Sequence, residues 1–235
     1  MKEKIIGILG GMGPEATVEL YRKIIQATPA GKDQDHLRVI IDSNPKIPDR
    51  TPAIVAAGES PVPAMAESGS VLTAAGADVI IIPCISAHFF LDELQSQLNI
   101  PILSAFDAVG EHIQRRHPDV RQVGLLATSG TVQGGRFAAR LADYGIGVIV
   151  ADKRTQVTVM QAIYHIKGSQ EAAFRAEAKS LLISVAEHII ARGAGGIIAG
   201  CTEIPLELEP RDIQVPLFDP LRILAQAAVN NALNQ

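Results

Sequence analysis

The chain has 235 residues and only two cysteines, Cys84 and Cys201, which end two segments that match without a gap. Residues 76–84 and 193–201 each run from a Gly-Ala pair through a short apolar stretch to the thiol. A hydroxyl side chain follows within two residues, Ser86 in one case and Thr202 in the other. Gly76 matches Gly193, Ile80 matches Ile197 and Ile81 matches Ile198, all at the 117-residue offset that separates the cysteines. The same offset carries Gly7, Ile8 and Leu9 onto Gly124, Leu125 and Leu126. A single free cysteine reads first as a small apolar residue of a buried strand. Two of them at matched positions of a repeat suit a different purpose: one thiol takes a proton from one face of a carbon and the other returns a proton to the opposite face. A thiol at a strand-to-helix junction lies near a helix N-terminus, whose partial positive charge favours the thiolate. Backbone N–H groups at such a junction also favour an anionic group of a substrate. Without paired histidines, two cysteines make a poor zinc set, so no metal is expected.

Other residues could take part. His88 and Glu203 follow the two cysteines closely, and each could tune a thiol by charge or hydrogen bonding; a satisfied core histidine and a capping glutamate are the plainer readings. Gly11, Gly13 and Ala16 follow a strand in the spacing of a dinucleotide fingerprint. However, Asp42, the candidate ribose-binding acid, lies about 30 residues on instead of about 20. Pro14 also removes a backbone N–H that could have met a phosphate. No cofactor is expected; the glycines let the backbone approach a small carboxylate, and Met12 lines that pocket.

These residues need elements to hold them. Residues 5–9 read as a buried strand, the glycines as a turn, and 15–28 as a helix opened by Pro14. A strand at 37–41 leads into 42–63, a proline-rich loop long enough to be functional. A helix at 62–75, a strand at 79–82, a helix at 89–98, a short strand at 102–103 and a helix at 107–116 complete the first half. The second half reads as strands at 123–126, 148–150, 196–199 and 215–218. Its helices fall at 132–144, 157–166, 171–191 and 221–233. This alternation, with the repeat, predicts an α/β fold of two pseudo-symmetric Rossmann-like domains, each a parallel sheet flanked by helices. The predicted division is 1–104 plus 219–235, carrying Cys84, and 105–218, carrying Cys201. The active site is expected in the cleft between them, beyond the carboxyl ends of the strands.

Composition narrows the partners. Hydrophobic residues are 47% of the chain but aromatics only 4%, so Ala, Ile, Val, Leu and Gly must do the packing, as under parallel sheets. A net charge of −4 gives no electrostatic footprint for nucleic acid. No run approaches the length needed to span a bilayer, and the opening apolar run is too short for a signal peptide. Reduced thiols and a cytoplasmic location are the expectation.

Several stretches together resemble the aspartate/glutamate racemase family, the amino-acid racemases that work without pyridoxal phosphate. They are residues 8–17, residues 44–51, Pro83-Cys84 with Ala87-His88, residues 124–128, and residues 200–203. The resemblance implies that Cys84 and Cys201 are the catalytic acid and base and that Arg50 and Lys167 bind a substrate carboxylate. It places Met12, Ile85, Ser86, Thr128 and Thr202 around the substrate and implies a homodimer. The family commonly has asparagine after the first cysteine, where this chain has Ile85, a side chain without a hydrogen-bonding group. The expected activity is cofactor-independent racemisation of an acidic amino acid, aspartate foremost. Maleate cis–trans isomerisation by a cysteine nucleophile is an alternative, as is non-catalytic binding of a small dicarboxylate.

Overall fold

Burial separates the central strands from the edge strands: Ile6–Gly10 and residues 123–126 are buried throughout, whereas Val39–Ser43 and Gly147–Val150 at the sheet edges are not. In the computed structural model, which describes residues 3–168 and 171–234, Ile6–Gly10 (β1) is buried along its whole length. Helix Pro14–Ala27 (α1) follows, with Pro14 in its first turn, and Leu20 and Ile24 turned inward. Strand Val39–Ser43 (β2), short helix Arg50–Val55 (α2) and helix Val62–Ala74 (α3) come next. The buried residues of α3 include Val62, Met65, Gly69 and Leu72, the three-to-four spacing of one helical face. Strand Val79–Ile81 (β3), short helix Leu91–Gln95 (α4) and helix Ala105–Arg116 (α5) complete the first half.

The second half runs Gln122–Leu126 (β4), Ser129–Gly134 (α6), Arg136–Ala142 (α7), Gly147–Val150 (β5) and Lys153–Gly168 (α8). It continues with Ala172–Ala191 (α9), Ile197–Ala199 (β6), Leu217–Phe218 (β7) and Pro220–Leu233 (α10).

The chain divides into two compact units, Met1–Ala108 with Leu221–Gln235, and Val109–Pro220. In the first, the parallel sheet has the order β2-β1-β3, and Ile102 bridges to Ile80 beyond β3. The C-terminal helix α10 belongs to this unit. The N–H of Lys4 donates to the Ala232 carbonyl, and Lys4 Nζ donates to Asn231 Oδ1, both at 3.1 Å. In the second unit the parallel order is β5-β4-β6-β7, and α8 and α9 pack along one another. Ala178, Leu182, Val185 and Ile189 of α9 join Val159 and Ile163 of α8 in a core that reaches Cys201.

The repeat is visible in the hydrogen-bonding register. Gly7 pairs with Ile80 and Ile8 with Ile81; their counterparts 117 residues on, Gly124 with Ile197 and Leu125 with Ile198, pair identically. The turns entering β3 and β6 also match: Gly76 has φ +95° and Gly193 has φ +101°, a backbone region that favours glycine.

Several elements differ from the sequence expectation. The helix expected over 132–144 is two helices, α6 and α7, because Gly135 between them takes a left-handed backbone with φ +68°. Residues 85–90 form a 3-10 helix that shortens the expected helix to α4. The strand expected at 37–41 runs two residues later, and that at 102–103 is a single bridge. The 42–63 loop contains α2, opened by the Asp49 carboxylate, which accepts from the N–H of Thr51. Among the described residues no helix is long and apolar enough to cross a membrane.

Candidate active site

Cys84 lies three residues past β3, where the buried strand gives way to the 3-10 turn Ile85–Phe90. Its side chain is free and buried, with Sγ 3.3 Å from Ser86 Oγ. Ile85 beside it is buried too and brings no hydrogen-bonding group. His88 fixes the turn from beneath. The Ala105 N–H donates to its Nδ1 at 3.3 Å, which leaves the ring proton on Nε2, 3.2 Å from the Ile82 carbonyl that it donates to. Burial is the main reason its pKa falls from 6.5 to about 4; the Ile82 carbonyl and Asp107 pull the other way. Of the two readings of His88 in the sequence, the satisfied core histidine is the one realised.

The glycine turn after β1 comes to the same core. Met12 is buried in one cluster with Leu9, Ile47, Ile82 and Cys84. The turn is pinned by Thr17, whose Oγ1 accepts from the Gly11 N–H at 2.9 Å and donates to the Gly13 carbonyl at 3.1 Å. Gly11 has no room for a side chain, because a Cβ there would collide with the backbone of Asn44. Arg50 opens α2, which packs against the turn following Cys84. Its Nη1 donates to the carbonyls of Pro48 at 2.8 Å and Ile47 at 3.3 Å, while its buried Nε has no partner.

In the second unit Cys201 follows β6 after one glycine, and the Gly200 N–H donates to the Leu126 carbonyl at 2.7 Å. Cys201 is buried and free, and its thiol donates to Glu203 Oε2 at 2.8 Å. Thr202 Oγ1 donates to the same oxygen at 3.1 Å. Lys167, in the last turn of α8, lies 3.4 Å from the other carboxylate oxygen. Burial, then the charge of Glu203 and the hydrogen bond to it, push the Cys201 thiol well above its ordinary range, with Lys167 opposing. The sequence expectation of thiolates favoured at helix N-termini is therefore corrected for Cys201. A turn and the three-residue 3-10 segment Ile204–Leu206 follow it, so no helix dipole is built there, and a carboxylate stands beside the sulfur.

Thr128 lies at the end of the neighbouring strand β4 and caps α6, accepting from the Thr131 N–H at 3.4 Å. Leu126 pairs with Ala199, so Thr128 and Cys201 each lie two residues beyond a paired position, at the same end of adjacent strands. The sequence reading missed what steadies this turn: Gln156 Nε2 donates to the Ala127 carbonyl at 2.9 Å, and the Ser129 N–H points to Met160 Sδ at 3.2 Å. It also missed the role of Thr17, although a hydroxyl in the first turn of a helix after a glycine turn is a readable signal. Met12, Arg50, Cys84, Ile85 and Ser86 thus gather in the first unit, and Thr128, Lys167, Cys201 and Thr202 in the second. Among the described residues no group of three or more His, Cys, Asp or Glu could hold a metal ion.

Comparisons with known proteins bear on the family and the fold. The family model for Asp/Glu/hydantoin racemases matches residues 9–228. The aspartate racemase of Picrophilus torridus is 30% identical with a TM-score of 0.83, over 97% of this chain and 94% of that one. An aspartate racemase homologue from Pyrococcus horikoshii is 28% identical with a TM-score of 0.82, over 98% and 99% of the two chains. The broad specificity amino-acid racemase RacX of Bacillus subtilis is 28% identical over 97% of this chain and 98% of its own length. The two helix-flanked parallel sheets match those of two-domain racemases, and the chain belongs to the Asp/Glu/hydantoin racemase family.

Proposed function

We propose that the protein racemises an acidic amino acid, aspartate foremost, without a cofactor, with Cys84 and Cys201 as the two bases. The observation that carries this reading is the shared register. Two free thiols, the only ones in the chain, end equivalent strands of equivalent sheets. The scheme requires both thiols at one substrate carbon. One thiolate takes the Cα proton, so a C–H bond breaks and an S–H bond forms. The other thiol donates its proton to the opposite face of the carbanion, leaving the inverted amino acid and the sulfurs with exchanged protonation states. Arg50 and Lys167 hold the side-chain carboxylate. Ser86, Thr128 and Thr202, with backbone N–H groups of the cysteine turns, hold the α-carboxylate and the amine. The protein works in the cytoplasm as a homodimer.

A second reading widens the substrate range beyond acidic amino acids. Ile85 gives the Cys84 turn an apolar residue, Arg50 already donates to two carbonyls of its own loop, and a full-length relative is a broad-specificity racemase.

Proton NMR of the reduced protein in D2O with single L-amino acids tests both. Loss of the Cα proton signal and appearance of D-aspartate are expected, and Cys84→Ala and Cys201→Ala each abolish racemisation. Exchange that is faster with neutral amino acids than with aspartate selects the second reading, and full racemase activity in Cys201→Ala sinks the two-base scheme.

A further inference from the structure

The two sulfurs have different neighbours. Beside Cys84 Sγ is a neutral hydroxyl, Ser86 Oγ at 3.3 Å; beside Cys201 Sγ is a carboxylate oxygen, Glu203 Oε2 at 2.8 Å. The Glu203 carboxylate also receives the Thr202 hydroxyl and, on its other oxygen, the Lys167 ammonium. We propose that Glu203 is a positioning residue that holds Cys201 as the protonated, proton-donating thiol of the resting protein, with Lys167 setting the strength of that hold through the shared carboxylate. The proposal rests on the two-base reading and adds a polarity to it. Cys84 begins as the base, and Cys201 begins as the acid.

The chemistry follows from the geometry. An acceptor-only carboxylate at hydrogen-bond distance from a sulfur is satisfied by S–H and repelled by S⁻. When Cys201 gives its proton to the substrate carbanion, its S–H bond breaks and a C–H bond forms. The thiolate left behind faces the negative charge of Glu203 inside a buried site. That charge drives re-protonation, either by the reverse reaction or by proton uptake from solvent at Cys201 matched by release of the Cys84 proton to solvent, and either route restores the starting polarity. The ionisable groups acting on Cys201 are Glu203, which disfavours the thiolate, and Lys167, which favours it. Burial disfavours it as well and does not depend on either side chain.

Because the chain has only two cysteines, Cys84→Ala leaves Cys201 as the sole thiol, and its titration can be read without turnover. The measurement is thiolate ultraviolet absorbance against pH, with mass-resolved alkylation rates as a second readout. In this background Glu203→Gln keeps the shape and an acceptor oxygen but removes the charge. The Cys201 midpoint should move down while staying above that of an exposed thiol, because burial remains. For every pH unit that the midpoint falls, the thiolate fraction at a pH below it rises about tenfold. Lys167→Met should move the midpoint up. Opposite movements in the two variants are not what a general loosening of the fold would give. A Glu203→Gln titration that superposes on its parent, or moves up, overturns the proposal. If the wild-type protein exchanges the Cα proton of no amino acid, the two-base reading fails instead, while the titration still decides whether Glu203 controls the thiol.

Discussion

Acidification tests how the Cys84 turn is held, because that turn hangs on a neutral imidazole. His88 is 2% exposed, and its two nitrogens serve the Ile82 carbonyl and the Ala105 N–H. Only the neutral ring with its proton on Nε2 can make both bonds; a proton added at Nδ1 would face the Ala105 N–H, donor against donor. The folded ring titrates at about 4, chiefly through burial, against 6.5 for an ordinary imidazole. Between those values the unfolded chain binds a proton that the folded chain does not. The stability is therefore full above pH 6.5 and falls as the pH drops toward about 4. The difference between the two values corresponds to about 3 kcal/mol lost over the whole window. A loss of that size is a substantial share of the 5–15 kcal/mol or so that is usual for a folded domain. Urea unfolding followed by circular dichroism, at steps from neutral pH down to about 4, measures it in the wild type and in His88→Gln. Carboxylates contribute to both proteins, as does His112, whose ring is lowered by burial and by His117, Arg115 and Arg116. The difference between the two curves isolates His88. Parallel curves across the window would refute the reasoning. So would nitrogen NMR of the wild-type ring showing a proton on Nδ1 or a midpoint near 6.5.

Two further outcomes follow from the turns. Gly76→Ala and Gly193→Ala should each cost about 1–2 kcal/mol, read as a lowered thermal midpoint. A Cβ at Gly76 meets nothing within 4 Å and one at Gly193 meets only Gln122 Oε1 at 3.8 Å, an ordinary contact, so the cost is conformational, and an unchanged midpoint would contradict it. Thr17→Val removes the acceptor of the buried Gly11 N–H and should cost about 1–3 kcal/mol, while Thr17→Ser retains most of the stability because the hydroxyl stays.

The parts of this molecule that were readable in the sequence are those with a local signature. An unbroken apolar run marks β1, β3, β4 and β6, and a fixed offset joins Gly7 to Gly124 and Cys84 to Cys201. Pro14 after the glycine turn announced α1. What escaped depends on partners distant in sequence or on a single backbone angle. Gln156 steadies the end of β4 from 29 residues away, and nothing near it in sequence says so. Gly135 breaks a helix whose apolar spacing continues through the break. The state of Cys201 escaped for a related reason. A cysteine at the end of a buried strand suggests a helix dipole, but the short 3-10 segment that follows supplies little, and the side chain of Glu203 decides the local charge.

That divergence is the part of the repeat with the most to say about mechanism. Two equivalent strands in the same register would give two thiols of equal character if the backbone alone set their chemistry. The side chains two residues on, Ser86 and Glu203, are where the halves part, one neutral and one charged. Under the two-base reading, this asymmetry cannot favour one enantiomer at equilibrium. The two enantiomers have equal free energy in water, so kcat/KM must be the same in both directions whatever the protein does. A preset polarity can only shift kcat and KM together, by redistributing the protein between the form that accepts one enantiomer and the form that accepts the other. Glu203 would therefore set which protonation state the protein returns to between turnovers, and leave the balance of the reaction where the substrate itself puts it.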